Sequence, residues 1–352
     1  MNGTGLDFEK PILELERRIK ELKNFSAEKN IDVSEEIKKL EKRAEKIKKE
    51  IFSSLTPWQR VQIARHPKRP YTMDYVSSMI NEFRELHGDR QFNDDMAIVG
   101  GLGRLGENSV MIIGQQKGRE TKENLIRNFG MPHPEGYRKV QRLFRMAEKF
   151  RIPVICFVDT PGAYPGIGAE ERGQAHVIAE NQMIMSRLKV PIIVVIIGEG
   201  GSGGALGIGV GNVVLMLENA YYSVISPEGC AAILWKDRKK APEAAEALKL
   251  VSQDLLKIGI VDIIIPEPLG GAHRDPQKMC QRLKQALLVE LEKLTNIPAE
   301  KLVENRYNRF RKFGVFTEPE VAVPNPANVQ KKSRERGKGS KPHRRREGSS
   351  VE

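Results

Sequence analysis

Residues 192–211, IIVVIIGEGGSGGALGIGVG, form the stretch from which the fold is best predicted. The stretch begins with a run of β-branched apolar residues, which is typical of a strand buried on both faces of a parallel sheet. A glycine-rich loop follows at residues 199–207, and glycine lets another molecule approach the main chain closely. If a helix begins near Ser202, its first amides can bind an anion or an oxygen that becomes negative during a reaction. A tight turn packed through small residues is the alternative interpretation.

A second glycine-rich loop lies earlier in the chain. Residues 153–158 are mostly apolar and predict another buried strand, and residues 160–168 follow it with three more glycines. Each loop precedes a predicted helix, and ligands of parallel α/β sheets bind outside the carboxyl ends of the strands. We therefore expect the loops at 160–168 and 199–207 to lie side by side.

Apolar spacing predicts most of the other elements. The expected helices cover residues 72–87, 134–150, 169–188, 242–257 and 276–294. Residues 101–106, GLGRLG, match the dinucleotide-binding pattern GxGxxG, but the residues after them predict a strand. A β-hairpin that turns near residues 106–108 is therefore expected, and a Rossmann site is rejected because it requires a helix after the glycines.

The two ends of the chain differ from its centre in their sequence patterns. Narrow apolar stripes within residues 7–51 predict two helices, interrupted at 24–34, which form an α-helical hairpin. We interpret it as a docking or assembly arm, with packing on its own domain as the alternative. Residues 325–352 carry nine lysines and arginines against three glutamates, and so hold half of the net charge of +12. This basic tail is expected to be disordered and to attract nucleic acid non-specifically, although a merely solubilising role is the simpler alternative.

Several classes of protein are disfavoured by the sequence. Apolar runs stay short of the ~18 residues that a membrane helix needs, and the N-terminus does not resemble a secretory signal, so a cytoplasmic location without membrane contact is expected. The three cysteines are isolated and the six histidines show no metal-ligand spacing, so no metal is expected on this chain. Only 6% of the residues are aromatic, and the chain has no recognisable aromatic-bearing RNA-binding motif. RNA binding is therefore expected to be a secondary activity at most.

Backbone amides are the main chemical resource of the candidate site. The chain has no GxSxG motif and no Ser/His/Asp arrangement, so donors at a glycine-rich loop suit a reaction that builds negative charge on an enolate or ureido oxygen. Lys117 and Arg119 are possible anion contacts, or part of a solvated basic face. Glu170, Glu171 and Glu199 are the candidate carboxylates for acid–base work, as a hydratase would require.

A set of long motifs resembles the α subunits of the carboxyltransferase component of multisubunit acetyl-CoA carboxylases. The resemblance covers roughly residues 6–314, and the basic tail extends beyond the usual end of the family. The matching motifs are RHP at residues 65–67, QKGRETKE at 116–123, DTPGAYPG at 159–166, GAEERGQ at 168–174, GEGGSGGAL at 198–206, YSVISPEGC at 222–230 and IPEPLGGAHR at 265–274.

The resemblance implies an α/β fold of the crotonase-like type, a superhelix of ββα units. The implied organisation is a helical hairpin arm at residues 1–55, a carboxyltransferase domain at 56–316 and a disordered basic tail at 317–352. The implied assembly is α2β2, with the β subunit carrying a zinc ribbon. Its implied partners are the biotin carboxyl carrier protein and biotin carboxylase. The implied reaction moves a carboxyl group from carboxybiotin on the carrier to acetyl-CoA, giving malonyl-CoA for fatty acid synthesis.

The resemblance also implies roles for individual residues. The amides of Gly203 and Gly204 would hold the ureido oxygen of carboxybiotin, and a bulky residue at either position is expected to abolish activity. The other residues expected to line the substrate pocket are Gly162, Ala163, Tyr164, Gly200, Gly201 and Ser202. The family mechanism uses no side-chain base, and the oxyanion hole for the enolate lies mostly on the β subunit. A decarboxylase or hydratase of the same fold, acting on acyl-CoA, is the alternative.

Overall fold

One sheet brings the ends of the two buried strands together. The computed structural model describes residues 5–29 and 31–314. The strands within these residues are β1 (Asn81–Glu85), β2 (Ile98–Leu105), β3 (Asn108–Gln115), β4 (Val154–Thr160), β5 (Ile192–Gly201), β6 (Val213–Leu217), β7 (Tyr221–Ser223) and β8 (Ile263–Ile265). They follow the order β1-β2-β3-β4-β5-β6-β8, and β7 pairs with the end of β5.

The centre of the sheet is parallel and fully buried. Strands β3 to β6 pair in parallel, and every residue of β4, β5 and β6 is buried. This burial explains why their sequences are nearly continuous apolar runs rather than alternating ones. Strands β2 and β3 pair antiparallel around Gly106, whose φ of 60° suits a two-residue turn. The prediction of a hairpin here, in place of a dinucleotide site, is confirmed.

Helices cover the sheet and connect its strands. They are α1 (Lys10–Lys29), α2 (Ser34–Ser53), α3 (Pro57–Ala64), α4 (Thr72–Met79), α5 (Thr121–Ile126), α6 (Pro134–Phe150), α7 (Ile167–Glu171), α8 (Gln174–Arg187), α9 (Ser202–Leu206), α10 (Pro227–Leu234), α11 (Ala241–Leu248), α12 (Ser252–Lys257), α13 (Pro276–Thr295) and α14 (Ala299–Arg311). Short 3-10 turns occupy Asp7–Glu9, Asn128–Gly130 and Arg238–Lys240. Helix α6 packs against β2, β3 and α8, which places it beneath the glycine-rich loops.

Three of the predicted helices are wrong in extent. The helix expected over 72–87 ends at Met79, because residues 81–85 pair with β2 as an edge strand. The helix expected over 169–188 is divided between α7 and α8 at Gly173, whose φ is 80°. The helix expected over 242–257 is also two helices, since Lys249 has a φ of 51° and the carbonyl of Leu250 accepts a hydrogen bond from the amide of Tyr222.

The N-terminal hairpin contains the two helices that the spacing predicts, although α1 continues to Lys29. Its own apolar cluster is centred on Ile19, Leu40 and Ala44. Arg274 also ties it to the rest of the chain, with Nη1 3.0 Å from Glu16 Oε2. The docking role and the domain boundaries stay predictions, and the basic tail at 317–352 lies outside the described residues. Among the helices that the structure describes, none has both the length and the apolar character needed to cross a membrane.

Candidate active site between two glycine-rich loops

The two loops lie side by side, as expected, and their main chains touch. Thr160 at the end of β4 pairs with Gly200 at the end of β5. A Cβ atom on Gly201 would lie 2.2 Å from the carbonyl oxygen of Pro161. A Cβ atom on Gly204 would lie 2.5 Å from the amide nitrogen of Ala163. Because no side chain fits into such a gap, glycine at these two positions is required by the close approach of the loops.

Helix α9 begins at Ser202, as the sequence predicts, and presents its first amides at this junction. Gly203 and Gly204 occupy its first turn, where an amide has no carbonyl four residues earlier in the helix to bind. Ser202 itself has a φ of 52°, in the left-handed region that costs a residue with a side chain about 1–2 kcal/mol. Strain of this kind concentrates at functional sites, where the surrounding structure maintains it.

The carbonyl of Gly204 is held from below by two buried side chains. It accepts hydrogen bonds from Gln115 Nε2 at 2.8 Å and from the Tyr137 hydroxyl at 3.1 Å. The amide oxygen of Gln115 accepts from the main-chain nitrogen of Asp159 at 3.0 Å. Neither Gln115 nor Tyr137 was recognised from the sequence, where the available signal was a polar residue directly after the buried run of β3.

A cluster of buried charges lies at the base of both loops. Lys117 Nζ is 2.6 Å from Asp159 Oδ1 and 2.9 Å from Glu199 Oε1. Arg65 Nε donates to Glu199 Oε2 at 2.8 Å, and the Tyr221 hydroxyl donates to the same oxygen at 2.6 Å. Asp159 precedes the first loop and Glu199 opens the second, so the cluster fixes one loop relative to the other.

The charges of this cluster are set by their mutual contacts. Burial acts to raise the pKa of Glu199, but the cations of Lys117 and Arg65 outweigh it and hold that pKa at about 2. Burial acts to lower the pKa of Lys117, but Asp159 and Glu199 raise it above the ordinary lysine value. Glu199 is therefore ionised and weakly basic at neutral pH, which makes it a poor general base.

Glu170 and Glu171 are both exposed on α7. Glu199 is buried and already accepts three hydrogen bonds from side chains, so the candidate carboxylates are not gathered in a pocket. A hydratase needs carboxylates placed against its substrate, and this arrangement does not favour that alternative.

Lys117 and Arg119 both have internal partners. The guanidinium of Arg119 bonds to the carboxylate of Asp74 and donates to the carbonyl of Pro67 at 2.8 Å. Lys117 is bound to the two buried carboxylates described above. The anion contacts expected for these two cations stay a prediction.

The first loop is also held firmly. The amide of Tyr164 donates to the carbonyl of Pro132 at 3.0 Å, and its ring lies 4.5 Å from that of His133. The amide of Gly162 donates to the Thr160 hydroxyl at 3.1 Å. These contacts hold the first loop through groups of this chain.

An apolar cavity of about 350 Å³ lies beside α9. Its lining residues are Gln182, Ser202, Leu206, Gly209, Val210, Val214, Tyr222, Ser223, Val224, Leu255, Ile260, Arg309, Phe310 and Phe313. Of the residues expected to line the substrate pocket, Ser202 belongs to this set, while Gly162, Ala163, Tyr164, Gly200 and Gly201 lie at the loop junction instead. Their role in binding substrate stays a prediction.

A group of possible metal ligands lies away from this junction. One ligand atom from each of Glu9, His66 and His273 lies within 4.8 Å of the others, a grouping that sequence spacing could not reveal. The two imidazole rings stack with centroids 3.9 Å apart, and Arg274 Nη2 is 3.2 Å from Glu9 Oε1. Parallel rings do not direct their nitrogen lone pairs at one point, and the arginine neutralises the carboxylate. This geometry does not favour a metal site at the group, and the sequence-based expectation of no metal stays a prediction.

Two solved structures share the fold of this chain. Transcarboxylase 12S, solved with methylmalonyl-coenzyme A and methylmalonic acid bound, aligns with a TM-score of 0.53 at 17% identity, covering 74% of this chain and 45% of that chain. A Pseudomonas malonate decarboxylase hetero-tetramer, in complex with coenzyme A, aligns with a TM-score of 0.52 at 15% identity, covering 70% of this chain and 93% of that chain. At these identities the likeness establishes the fold alone, which is the crotonase-like fold that the family resemblance implies.

Sequence comparison identifies the family. Residues 5–314 match the model of the family described as acetyl co-enzyme A carboxylase carboxyltransferase-like. The acetyl-coenzyme A carboxylase carboxyl transferase subunit alpha of Thermus thermophilus is 60% identical over 314 residues, which cover 89% of this chain and 99% of the relative. The subunit of the same name from Bordetella avium is 56% identical over 318 residues, covering 90% and 99%. The chain belongs to this family.

Proposed function

We propose that this chain is the α subunit of an acetyl-CoA carboxylase carboxyltransferase. With a β subunit it would transfer the carboxyl group of carboxybiotin, borne by the carrier protein, to acetyl-CoA and so form malonyl-CoA. The observation that carries this proposal is the 60% identity to the Thermus thermophilus subunit over 99% of its length. The junction of two glycine-rich loops, with backbone donors in place of an acid–base pair, supports the same chemistry.

The geometry suggests how this chain contributes to the reaction. When the bond between the carboxyl group and the ureido nitrogen of the donor substrate breaks, negative charge develops on the ureido oxygen. The amides of Gly203 and Gly204 would donate hydrogen bonds to that oxygen, at an end of α9 where the helix dipole also favours negative charge. Loss of one such donor costs about 2.7–4 kcal/mol of transition-state stabilisation.

The rest of the site would come from other proteins. The proposed assembly is α2β2, with the zinc ribbon and most of the enolate oxyanion hole on the β subunit, and with biotin carboxylase recharging the carrier. Leu206 and Val224 line the cavity beside α9 and are 38% and 77% exposed, which suits a surface that a protein partner covers. The cytoplasmic location and the non-specific attraction of nucleic acid to residues 325–352 stay predictions.

Reconstitution of the forward reaction tests the proposed function. The purified chain is combined with a β-type subunit, biotin carboxylase, biotinylated carrier, ATP, bicarbonate and acetyl-CoA, and malonyl-CoA is measured by mass spectrometry. We expect malonyl-CoA in the complete mixture and none when the chain is omitted. The Thermus thermophilus α subunit, with its own β subunit, serves as the positive control. A complete mixture that stays inactive while this control is active, with the chain folded and assembled, would contradict the proposal.

A further inference from the structure

We infer that Gln115 is a positioning residue that sets the distance between the two glycine-rich loops and thereby aims the amides of α9. This inference rests on the proposed function. Gln115 is the last residue of β3, and its side chain is fully buried. Because it is shielded from solvent, it would act through the loops that its hydrogen bonds join.

One side-chain amide bridges the two loops. Its oxygen accepts from the main-chain nitrogen of Asp159, the residue before the first loop, at 3.0 Å. Its nitrogen donates to the carbonyl of Gly204, in the first turn of α9, at 2.8 Å. A carboxamide carries its acceptor oxygen and its donor nitrogen on one rigid plane, so satisfying both bonds fixes the relative position of their partners.

The two loops are too closely packed at this bridge to absorb a displacement of the Gly204 carbonyl. A Cβ atom on Gly204 would lie 2.5 Å from Ala163, so the two main chains are already in contact above the bridge. The carbonyl and the amide of Gly204 belong to consecutive peptide planes joined at its Cα atom. A displacement of the carbonyl therefore tilts the helix turn that carries the oxyanion donors. Misplacement of about 1 Å in a catalytic geometry can cost about 100-fold in rate.

Tyr137 provides an independent contact to the same carbonyl. Its hydroxyl donates to Gly204 at 3.1 Å, and a Cβ atom on Gly207 would lie 2.4 Å from its ring. Tyr137 supports α9 alone, whereas Gln115 connects α9 to the first loop. We therefore expect the loss of the hydroxyl to affect the rate less than the loss of the carboxamide.

Gln116 offers a matched control one residue further along. It is also a buried glutamine, whose Oε1 accepts from the amide of Met73 and whose Nε2 donates to the carbonyl of Lys117, both at 2.9 Å. Within the part of the chain described, its side-chain hydrogen bonds reach neither glycine-rich loop. Gln115→Met and Gln116→Met therefore remove the same groups from equally buried positions, and only the first breaks the bridge.

The test measures kcat and KM for carboxyl transfer from malonyl-CoA to biocytin, using full-length chain assembled with a β-type subunit, together with the Tm of each complex. We expect Gln115→Met to lower kcat by about 10- to 100-fold with KM for malonyl-CoA unchanged. Gln116→Met is expected to lower Tm by a similar amount and to keep kcat within about threefold of wild type. Equal kcat values for the two variants, or a loss in Gln115→Met explained by its unfolded fraction, would overturn the inference.

A second variant covers the case in which Gln115→Met does not fold. Tyr137→Phe keeps the ring packed and removes one of the two donors to the Gly204 carbonyl that aims the α9 amides, and we expect kcat to fall about two- to tenfold with KM unchanged. A wild-type kcat in this variant would then count as the refutation. Failure of the proposed function is distinguishable, because in that case the wild-type complex itself is inactive, whereas failure of the positioning inference leaves it active.

Discussion

The replacement of Gly204 by alanine is the most informative single substitution, since it adds one methyl group where the main chains of the two loops touch, at a residue proposed to donate to the ureido oxygen. Its Cβ atom would lie 2.5 Å from both the nitrogen of Ala163 and the carbonyl carbon of Gly162. Contacts below 3.4 Å are tighter than nine in ten of those that Cβ atoms make, so the loops must separate by about 0.9 Å. Both neighbours are main-chain atoms, which cannot rotate away.

The cost of this separation divides between stability and catalysis. Forcing extra volume into a packed site costs about 1–3 kcal/mol of folding free energy. If the movement takes the Gly204 amide out of reach of the ureido oxygen, the loss of one donor adds about 2.7–4 kcal/mol to the activation barrier. The variant is therefore expected to fold and to assemble, with kcat reduced about 100- to 1,000-fold.

Gly203→Ala is the comparison, because it lies in the same helical turn. The nearest described atom to its added Cβ is Ile178 Cδ1, at an ordinary 3.6 Å. Its activity should therefore fall by less than tenfold, even though the sequence alone predicts equal sensitivity at the two positions. The assay is transfer from malonyl-CoA to biocytin with a β-type subunit, with Tm measured by circular dichroism. A folded, assembled Gly204→Ala variant with a kcat within twofold of wild type would show that the Gly204 amide does not donate to the ureido oxygen in the transition state.

Stability, pH response and assembly should each respond to one further change. Glu267→Gln leaves the fully buried guanidinium of Arg69 without its carboxylate, so urea unfolding should show a loss of about 3–5 kcal/mol. Burial, His66 and Arg274 lower the pKa of His273 from 6.5 to about 3, so the unfolded chain takes up this proton first as the pH falls. Stability should therefore decrease by about 1.4 kcal/mol per pH unit between pH 6.5 and pH 3, and His273→Phe should remove that part of the slope. Deletion of residues 1–50 should weaken assembly, seen by sedimentation with a β-type subunit, more than it lowers Tm.

For each of these three predictions, one result would contradict the expected outcome. A loss below 1 kcal/mol in Glu267→Gln would mean that the buried guanidinium finds another partner. An unchanged acid slope in His273→Phe would show that other groups take up the proton. Undiminished assembly of the chain that lacks residues 1–50 would leave the hairpin as a structural element of its own domain.

The central strands could be predicted because their sequences respond to one strong constraint. Burial on both faces demands apolar residues at every position, and β4 and β5 obey this almost throughout. The edge strand β1 is subject to no such demand. Its residues are mixed, its register with β2 shifts between Asn81 and Arg84, and Glu82 has a φ of 52°. Pairing with a neighbouring strand, rather than its own pattern, makes residues 81–85 a strand.

Helix α14 shows a different reason for failure. Apolar spacing overlooks it because its fully buried long side chain is an arginine, Arg306. Nη1 of that arginine donates to the carbonyls of Met185 and Leu188, and Nη2 donates to that of Val190. A buried guanidinium can donate to three carbonyls at the end of a neighbouring helix. The local sequence of α14 does not predict these partners, because they are distant along the chain.

Some parts of the candidate site could likewise be predicted from the sequence, and others could not. The glycine-rich loops could be located from the sequence because close backbone approach requires glycine itself. The charges beneath them could not, because Arg65, Lys117, Asp159 and Glu199 meet only through the topology of the sheet. From the sequence, Lys117 is a possible anion contact or part of a solvated basic face, and its described partners are two carboxylates of this chain.

The most direct measurement is the transfer of the carboxyl group from malonyl-CoA to free biocytin by this chain, first alone and then with a purified β-type subunit. This chain is proposed to supply the donors for the ureido oxygen, and its partner most of the site for the acyl-CoA enolate. We therefore predict that carboxybiocytin forms only when both subunits are present. Activity of the chain alone would contradict the account, because it would mean that a complete acyl-CoA site lies within this one subunit.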